Sequence, residues 1–192
     1  MAARIEPLSR QRISSIDLLR GIVMVIMALD HVRDFFGHGA FTADPTNLAT
    51  TTPALFFTRW ITHFCAPVFV FLSGTSAFLH GSRAKTKAAL SRFLWTRGLW
   101  LIVVELTLIG FGWSFDIALR WHILQVIWAI GISMIVLAAV VFLPRWMILA
   151  LGVILVGGHN LLDPIMAQGD SWGSIAWYVL HQQNIVQGDG WI

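Results

Sequence analysis

The sequence predicts an all-α, polytopic transmembrane helix bundle of about five or six spans, and three observations carry that prediction. Of the 192 residues, 57% are hydrophobic and only 12% charged, and the mean hydropathy of +0.73 lies outside the range of soluble domains. Apolar runs of near-membrane length fill most of the chain, with room for about five or six helices of roughly 20 residues and little else. The eleven arginines and two lysines fall mainly in short segments between those runs. In that distribution a net charge of +3 reads as topology signals rather than as a nucleic-acid surface.

The first span covers about Ser15 to Phe36, with Ser14 or Ser15 available as an N-cap. Arg4, Arg10 and Arg12 imitate a signal peptide, but Asp17 and Arg20 interrupt the apolar stretch and no A-x-A site follows. The span is therefore read as retained. Its strictly apolar run, Gly21 to Leu29, is nine residues, about 14 Å of helix in a hydrocarbon core roughly 30 Å thick. The polar ends must lie at membrane depth. At about 100° per residue, Asp17, Arg20, Met24, Met27 and His31 share one face, with Arg20 and His31 about 16 Å apart along it. An ionisable stripe at that depth is costly unless it meets protein or a wet cavity, so this face is expected to line a polar groove.

A loop without Lys or Arg, Gly37 to Pro53, leads to a second span at about Ala54 to Phe78. Pro67 should kink it, and the small residues Ser73, Gly74, Thr75 and Ser76 should admit a neighbouring helix. A basic loop, His80 to Arg92, carries Arg83, Lys85, Lys87 and Arg92. The third span is placed at about Phe93 to Trp113, interrupted by Arg97 and Glu105, and the fourth at about Trp121 to Leu143, opening with His122 and Gln125. A fifth runs from Trp146 to Leu162. From Ser171 a sixth begins but turns polar at His181, Gln182, Gln183 and Asn184. The chain thus reads as one domain over 1–192, the amino-terminal part of a larger bundle. Basic residues alternate from side to side, which puts the amino terminus in the cytoplasm, Arg20 toward it and His31 toward the far face. A multi-pass position in a bacterial inner membrane is expected. Several of the ten tryptophans sit at span ends, as interfacial belts require.

Chemistry-bearing residues are densest at the end of the first span: Asp30, His31, Arg33 and Asp34. Arg33 and Asp34 suit a snorkelling helix end, and Asp30 can pair with Arg33 at i,i+3. His31 shares the inward stripe and carries an imidazole that exchanges a proton near neutral pH, as a general base must. Arg20 either pairs with Asp17 or offers its planar donor fork to an anionic ligand such as a phosphate. His63, in the span that Pro67 opens, and His38, on a glycine-flanked loop, are second-rank members of a site. Glu105, deep in a span, needs a partner or a proton. His122 with Gln125, and His159 with Asn160, suit interhelical hydrogen bonds. Seven histidines raise the question of a metal, but no H-x-x-x-H, H-E-x-x-H or Cys pair exists, and none is expected. No G-x-S-x-G elbow, Walker loop or dinucleotide fingerprint is present, and the lone Cys65 excludes a disulfide framework.

S-I-D-L-L-R-G at Ser15 to Gly21, with F-V-F-L-S-G-T-S-A-F-L at Phe69 to Leu79, resembles the heparan-α-glucosaminide N-acetyltransferase-like membrane family. Arg20 with ten residues before His31 also resembles the R-x10-H motif of the acyltransferase-3 family. These resemblances imply transfer of an acyl group from cytoplasmic acetyl-CoA or another acyl-CoA to a hydroxyl or amine of a carbohydrate acceptor across the membrane. The second implies that His31 is the catalytic imidazole and that Arg20 belongs to the acyl-CoA path; Asp30 or Asp34 is expected to orient the ring. The first family places its histidine later, where His38 stands, and His63 is a further candidate. Asp17, Arg83 and Arg97 join Arg20 as the expected acyl-CoA-binding residues. Membrane lipids are expected neighbours, no nucleic acid is, and a homo-oligomer is compatible with the sequence. The competing class is a transporter or passive scaffold, in which Asp17, Arg20, His31 and Glu105 form an ionisable relay.

Overall fold

A computed structural model describes residues 14–37, 44–120 and 123–182. The described residues are helical, with no strand among them, and the chain forms two compact units that divide between Ser82 and Arg83.

In the first unit, α1 spans Ser14–Phe36, with Asp17 in its first turn and Arg33 in its last, each suited to the helix dipole at its end. Gly37 follows as the terminator, donating its N–H to the Arg33 carbonyl at 2.7 Å; a Cβ there would come within 2.5 Å of that oxygen. α2, Pro53–Thr62, starts where Thr52 caps the Leu55 N–H and Pro53 takes a position whose N–H has no helical partner. α3, Cys65–Arg83, continues it after a break at His63 and Phe64. Pro67 explains that break: it has no N–H to give, and its ring crowds the carbonyl four residues back, at His63. The expected kink is therefore present, one turn upstream of its cause. α1 runs antiparallel to α2 and the start of α3, so that Asp30 meets Thr62 while the buried Cys65 thiol points at the Val23 carbonyl, 3.7 Å away.

The second unit is built on the pairing of α4, Lys87–Val104, with α6, Val126–Val140. α4 passes through a π-helical turn at Glu105–Ile109 into the short α5, Gly110–Ser114. The pairing is antiparallel, and its contacts recur every seven residues along the α4 side. Ser91 Oγ donates to the Ala138 carbonyl at 2.7 Å, Gly98 crosses Gly131, and Glu105 Oε1 accepts the Gln125 N–H at 2.8 Å. At the crossing the backbones are so close that a Cβ on Gly98 would stand 2.6 Å from the Gly131 carbonyl oxygen. Small residues that let backbones meet are the usual device for helices joined without a hydrophobic driving force.

The charges of α4 serve its partner. Glu105 is 1% exposed and lies against the start of α6, where Gln125 and Trp128 turn their backbone N–H groups toward it. Lys87 Nζ donates to the Phe142 and Leu143 carbonyls just past the other end, at 3.0 and 3.4 Å. A carboxyl group thus meets the positive pole of α6 and a cation its negative pole. The partner that a buried Glu105 requires is therefore a helix N-terminus. After α6, α7 (Arg145–Gly158) runs into a 3₁₀ turn at His159–Leu162, and α8 covers Trp172–Leu180.

Among the described residues, three helices are long and apolar enough to cross a membrane: Pro53–Arg83, Lys87–Ser114 and Arg145–Leu162. This is fewer than the five or six expected, for separate reasons. α1 has 23 residues but holds Asp17, Arg20, Asp30, Arg33 and Asp34. α6 is apolar yet only 15 residues, about 22 Å, and α8 is nine, about 14 Å. The basic loop is also shorter than expected, because helix continues to Arg83 and resumes at Lys87. No helix fills the Ser73–Ser76 cluster among the described residues: a Cβ on Gly74 would meet nothing within 4 Å, and the Ser73 and Thr75 hydroxyls bond back to their own helix. α7 has no buried residue and exposes Leu149, Val153, Leu155 and Val156. Such apolar exposure suits a lipid-facing helix.

Candidate functional site

The ionisable residues at the end of α1 form an ordered cluster with α2. Asp30 is its centre. One carboxylate oxygen receives Arg33 Nη1 at 2.7 Å and the Thr62 hydroxyl at 2.8 Å; the other receives Arg59 Nη1 at 2.7 Å. Arg33 also grips Asp34 through Nη2 and Nε, at 2.7 and 3.2 Å. Two guanidinium groups and two carboxylates are therefore paired. They are largely buried, with side-chain exposures of 14% for Arg33, 18% for Asp30 and for Asp34, and 32% for Arg59. The i,i+3 pair of Asp30 with Arg33 matches the sequence expectation. Arg59 and Thr62, which complete the cluster, carried no such expectation. Their signal was an arginine within an apolar stretch with no acid near it in sequence.

His31 is half-buried on α1, next to this cluster. His63 is exposed at the α2–α3 break, its Nδ1 3.1 Å from the Arg59 carbonyl oxygen, which also lies 3.0 Å from the Thr62 hydroxyl oxygen. Asp44, in the loop before α2, feels the same assembly. Its carboxyl is held below the usual carboxylate range first by the hydroxyl and N–H of Thr46, with smaller pulls from Arg59 and His63. His38 lies outside the described residues, as does His122.

Asp17 and Arg20 are exposed, as is Met24, while Val23, Asp30 and Asp34 make the packed side of α1. The packed side is centred on Val23, about 60° around the helix from Arg20. Asp30, expected to orient His31, has both oxygens taken by Arg33, Arg59 and Thr62. In the second unit Arg83 ends α3 in solvent-accessible space, and Arg97 lies exposed with its guanidinium 5.7 Å from the centre of the Phe93 ring. Beside it Arg92 lines an open groove of about 540 Å³ with Ala88, Ala89, Phe93 and Thr96.

Long apolar helices, and a charge cluster paired rather than scattered at the end of α1, define a helical membrane protein that organises its ionisable groups. The sequence matches the family described as heparan-alpha-glucosaminide N-acetyltransferase, catalytic, over residues 12–189, and the chain belongs to that family. It is thereby an acetyltransferase-type membrane enzyme. Compared with curated proteins and with solved structures, the chain has no match.

Proposed function

We propose that this protein moves an acetyl or other acyl group from cytoplasmic acyl-CoA to a hydroxyl or amine of a sugar-containing acceptor on the opposite side of the membrane. The observation that carries the reading is the half-buried His31 beside the Asp30–Arg33–Asp34–Arg59 cluster in a chain of this family. His31 takes the proton of the acceptor as its oxygen or nitrogen attacks the thioester carbonyl; the carbon–sulfur bond then breaks and CoA leaves as the thiolate, to which the proton returns. Guanidinium groups held in a fixed network supply positive charge near a developing oxyanion without having to reorganise.

Arg20, with Asp17 a turn away, belongs to the donor path, together with Arg83, Arg97 and the Arg92 groove, whose cations suit the phosphates of CoA. His38 and His63 serve the acceptor side. In this reading α1 crosses the membrane with its charges paired at the far end, and the amino terminus is cytoplasmic, following the alternation of basic residues.

The test joins binding to turnover. Acetyl-CoA should raise the melting temperature of the detergent-solubilised protein by mass action. His31→Ala should leave that shift in place while lowering acyl transfer by about 10²-fold or more. Full transfer activity in His31→Ala removes the imidazole from the chemistry. A melting temperature indifferent to acetyl-CoA favours a transporter or scaffold.

A further inference from the structure

We propose that His159, Asp163 and His181 bind one first-row transition-metal dication of the zinc class, at a site in the second unit separate from the α1–α2 cluster and independent of the acyl-transfer reading. One ligand atom from each of the three residues lies within 4.8 Å of those of the other two. Two imidazoles and a carboxylate are the donors that Zn²⁺, Co²⁺ and Fe²⁺ share, and three protein ligands leave a coordination position for water.

The fold brings these residues together in two steps. His159 opens the 3₁₀ turn and Asp163 is the residue that closes it, four positions on. His181 comes from beyond the end of α8, and the chain between is tied down on the way. Trp177 Nε1 donates to the Ile165 carbonyl at 2.9 Å, and Gln182 Oε1 accepts the Ala167 N–H at 2.9 Å. Ser174 Oγ donates to the Gln168 carbonyl at 2.9 Å and the Tyr178 hydroxyl to the Gly169 carbonyl at 3.0 Å. α8 is thereby laced onto the preceding loop, and His181 returns to the turn that carries the other two.

The His181 side chain is 7% exposed, between the His159 ring at 4.4 Å and the Trp177 ring at 4.9 Å. Its Nε2 is 3.2 Å from Asp163 Oδ1. That spacing suits an ion pair, and it equally suits two ligands held about 2.1 Å from one ion at an angle of about 100°. An ion pair leaves the site under-explained, because a second imidazole, His159, stands against the pair with its ring 4.4 Å from that of His181. His159 and Asp163 are exposed, which gives an ion its entry path. A scan for H-x-x-x-H passes over the site, because one ligand is an aspartate and the third lies eighteen residues further on.

The whole chain, purified in detergent and stripped with a chelator, is to be titrated with Co²⁺ and then Zn²⁺. One equivalent of Co²⁺ should give visible ligand-field bands, Zn²⁺ should displace it, and Zn²⁺ should raise the melting temperature. His159→Ala and Asp163→Asn alter exposed side chains and should each weaken Co²⁺ binding by about tenfold or more, while His80→Ala should not. Absence of stoichiometric Co²⁺ bands overturns the site. So does undiminished binding in both variants, which would mark an adventitious surface ion.

Discussion

Asp30 is where residue-level chemistry decides the first unit. Three donors from two helices converge on one carboxylate, so removing its charge leaves Arg33 and Arg59 facing each other with no anion between them. Asp30→Asn should therefore destabilise by about 2 kcal/mol, less than the roughly 3–5 kcal/mol of a fully buried ion pair because Arg59 is partly wetted. Thermal unfolding in detergent measures it, and an unchanged melting temperature would show the cluster to be decorative. Part of this site was legible in the sequence: the charge density at Asp30 to Asp34, the Asp30–Arg33 spacing and the need to satisfy Asp30 all follow from local periodicity. Arg59 was not legible as a partner, since it lies 29 residues away and only the antiparallel return of α2 brings it back. The Asp17–Arg20–His31 stripe was correctly placed on one helical face, yet its neighbouring face is the packed one. Periodicity fixes which residues align, not which of two adjacent stripes a partner covers.

At the scale of elements the α4–α6 seam is the clearest case of sequence specifying a contact. Gly98 and Gly131 are positions where a side chain has no room: the nearest atoms to an added Cβ include the opposing carbonyl oxygen, at 2.6 and 2.9 Å respectively, and backbone cannot move aside as a flexible side chain can. Gly98→Val should push the helices apart and cost about 1–3 kcal/mol as overpacking, while Gly74→Val, at a position open to 4 Å, should cost far less. Paired melting curves of the two variants separate a close crossing from a general effect of β-branching in a helix. Helix existence was legible for most of the chain, because long apolar runs leave little alternative, but the Thr86 cap that starts α4 inside the expected basic loop was not read. The seam was not legible. Glu105 announced a need for a partner, but the sequence contains no sign that the partner would be the N–H groups of another helix, and the π-helical turn that begins at Glu105 has no local residue that demands it.

For the whole molecule the sequence supported membrane residence and an all-helical class, and the family match agrees with the two motifs at Ser15–Gly21 and Phe69–Leu79. Span number was over-read. Total apolar length sets a ceiling on the number of crossings, whereas length and composition together single out fewer among the described residues, because charges interrupt α1 and α6 is short. The orientation argued from basic residues is open to a direct check. With Cys65 replaced by Ala, single cysteines at Asn47 and at Lys85 should react with a membrane-impermeant maleimide from opposite sides of sealed vesicles, Asn47 from the side away from the cytoplasm. Labelling of both from one side would reverse or abolish the assigned topology.

The lysine at the head of α4 and the glutamate at its tail have a consequence for how the protein is made. Lys87 sits at the end of its own helix that repels its charge, while Glu105 lies inside the continuous stretch Lys87–Ser114, so a ribosome releasing α4 by itself would present the translocon with a mismatched cation at one end and an unpartnered carboxyl within the apolar run. The mismatch disappears only when α6, short and uncapped by its own side chains, has also emerged. With Glu105 unpartnered until α6 arrives and α6 itself too short to cross readily alone, the two should be held at the translocon and released into lipid together as a hairpin.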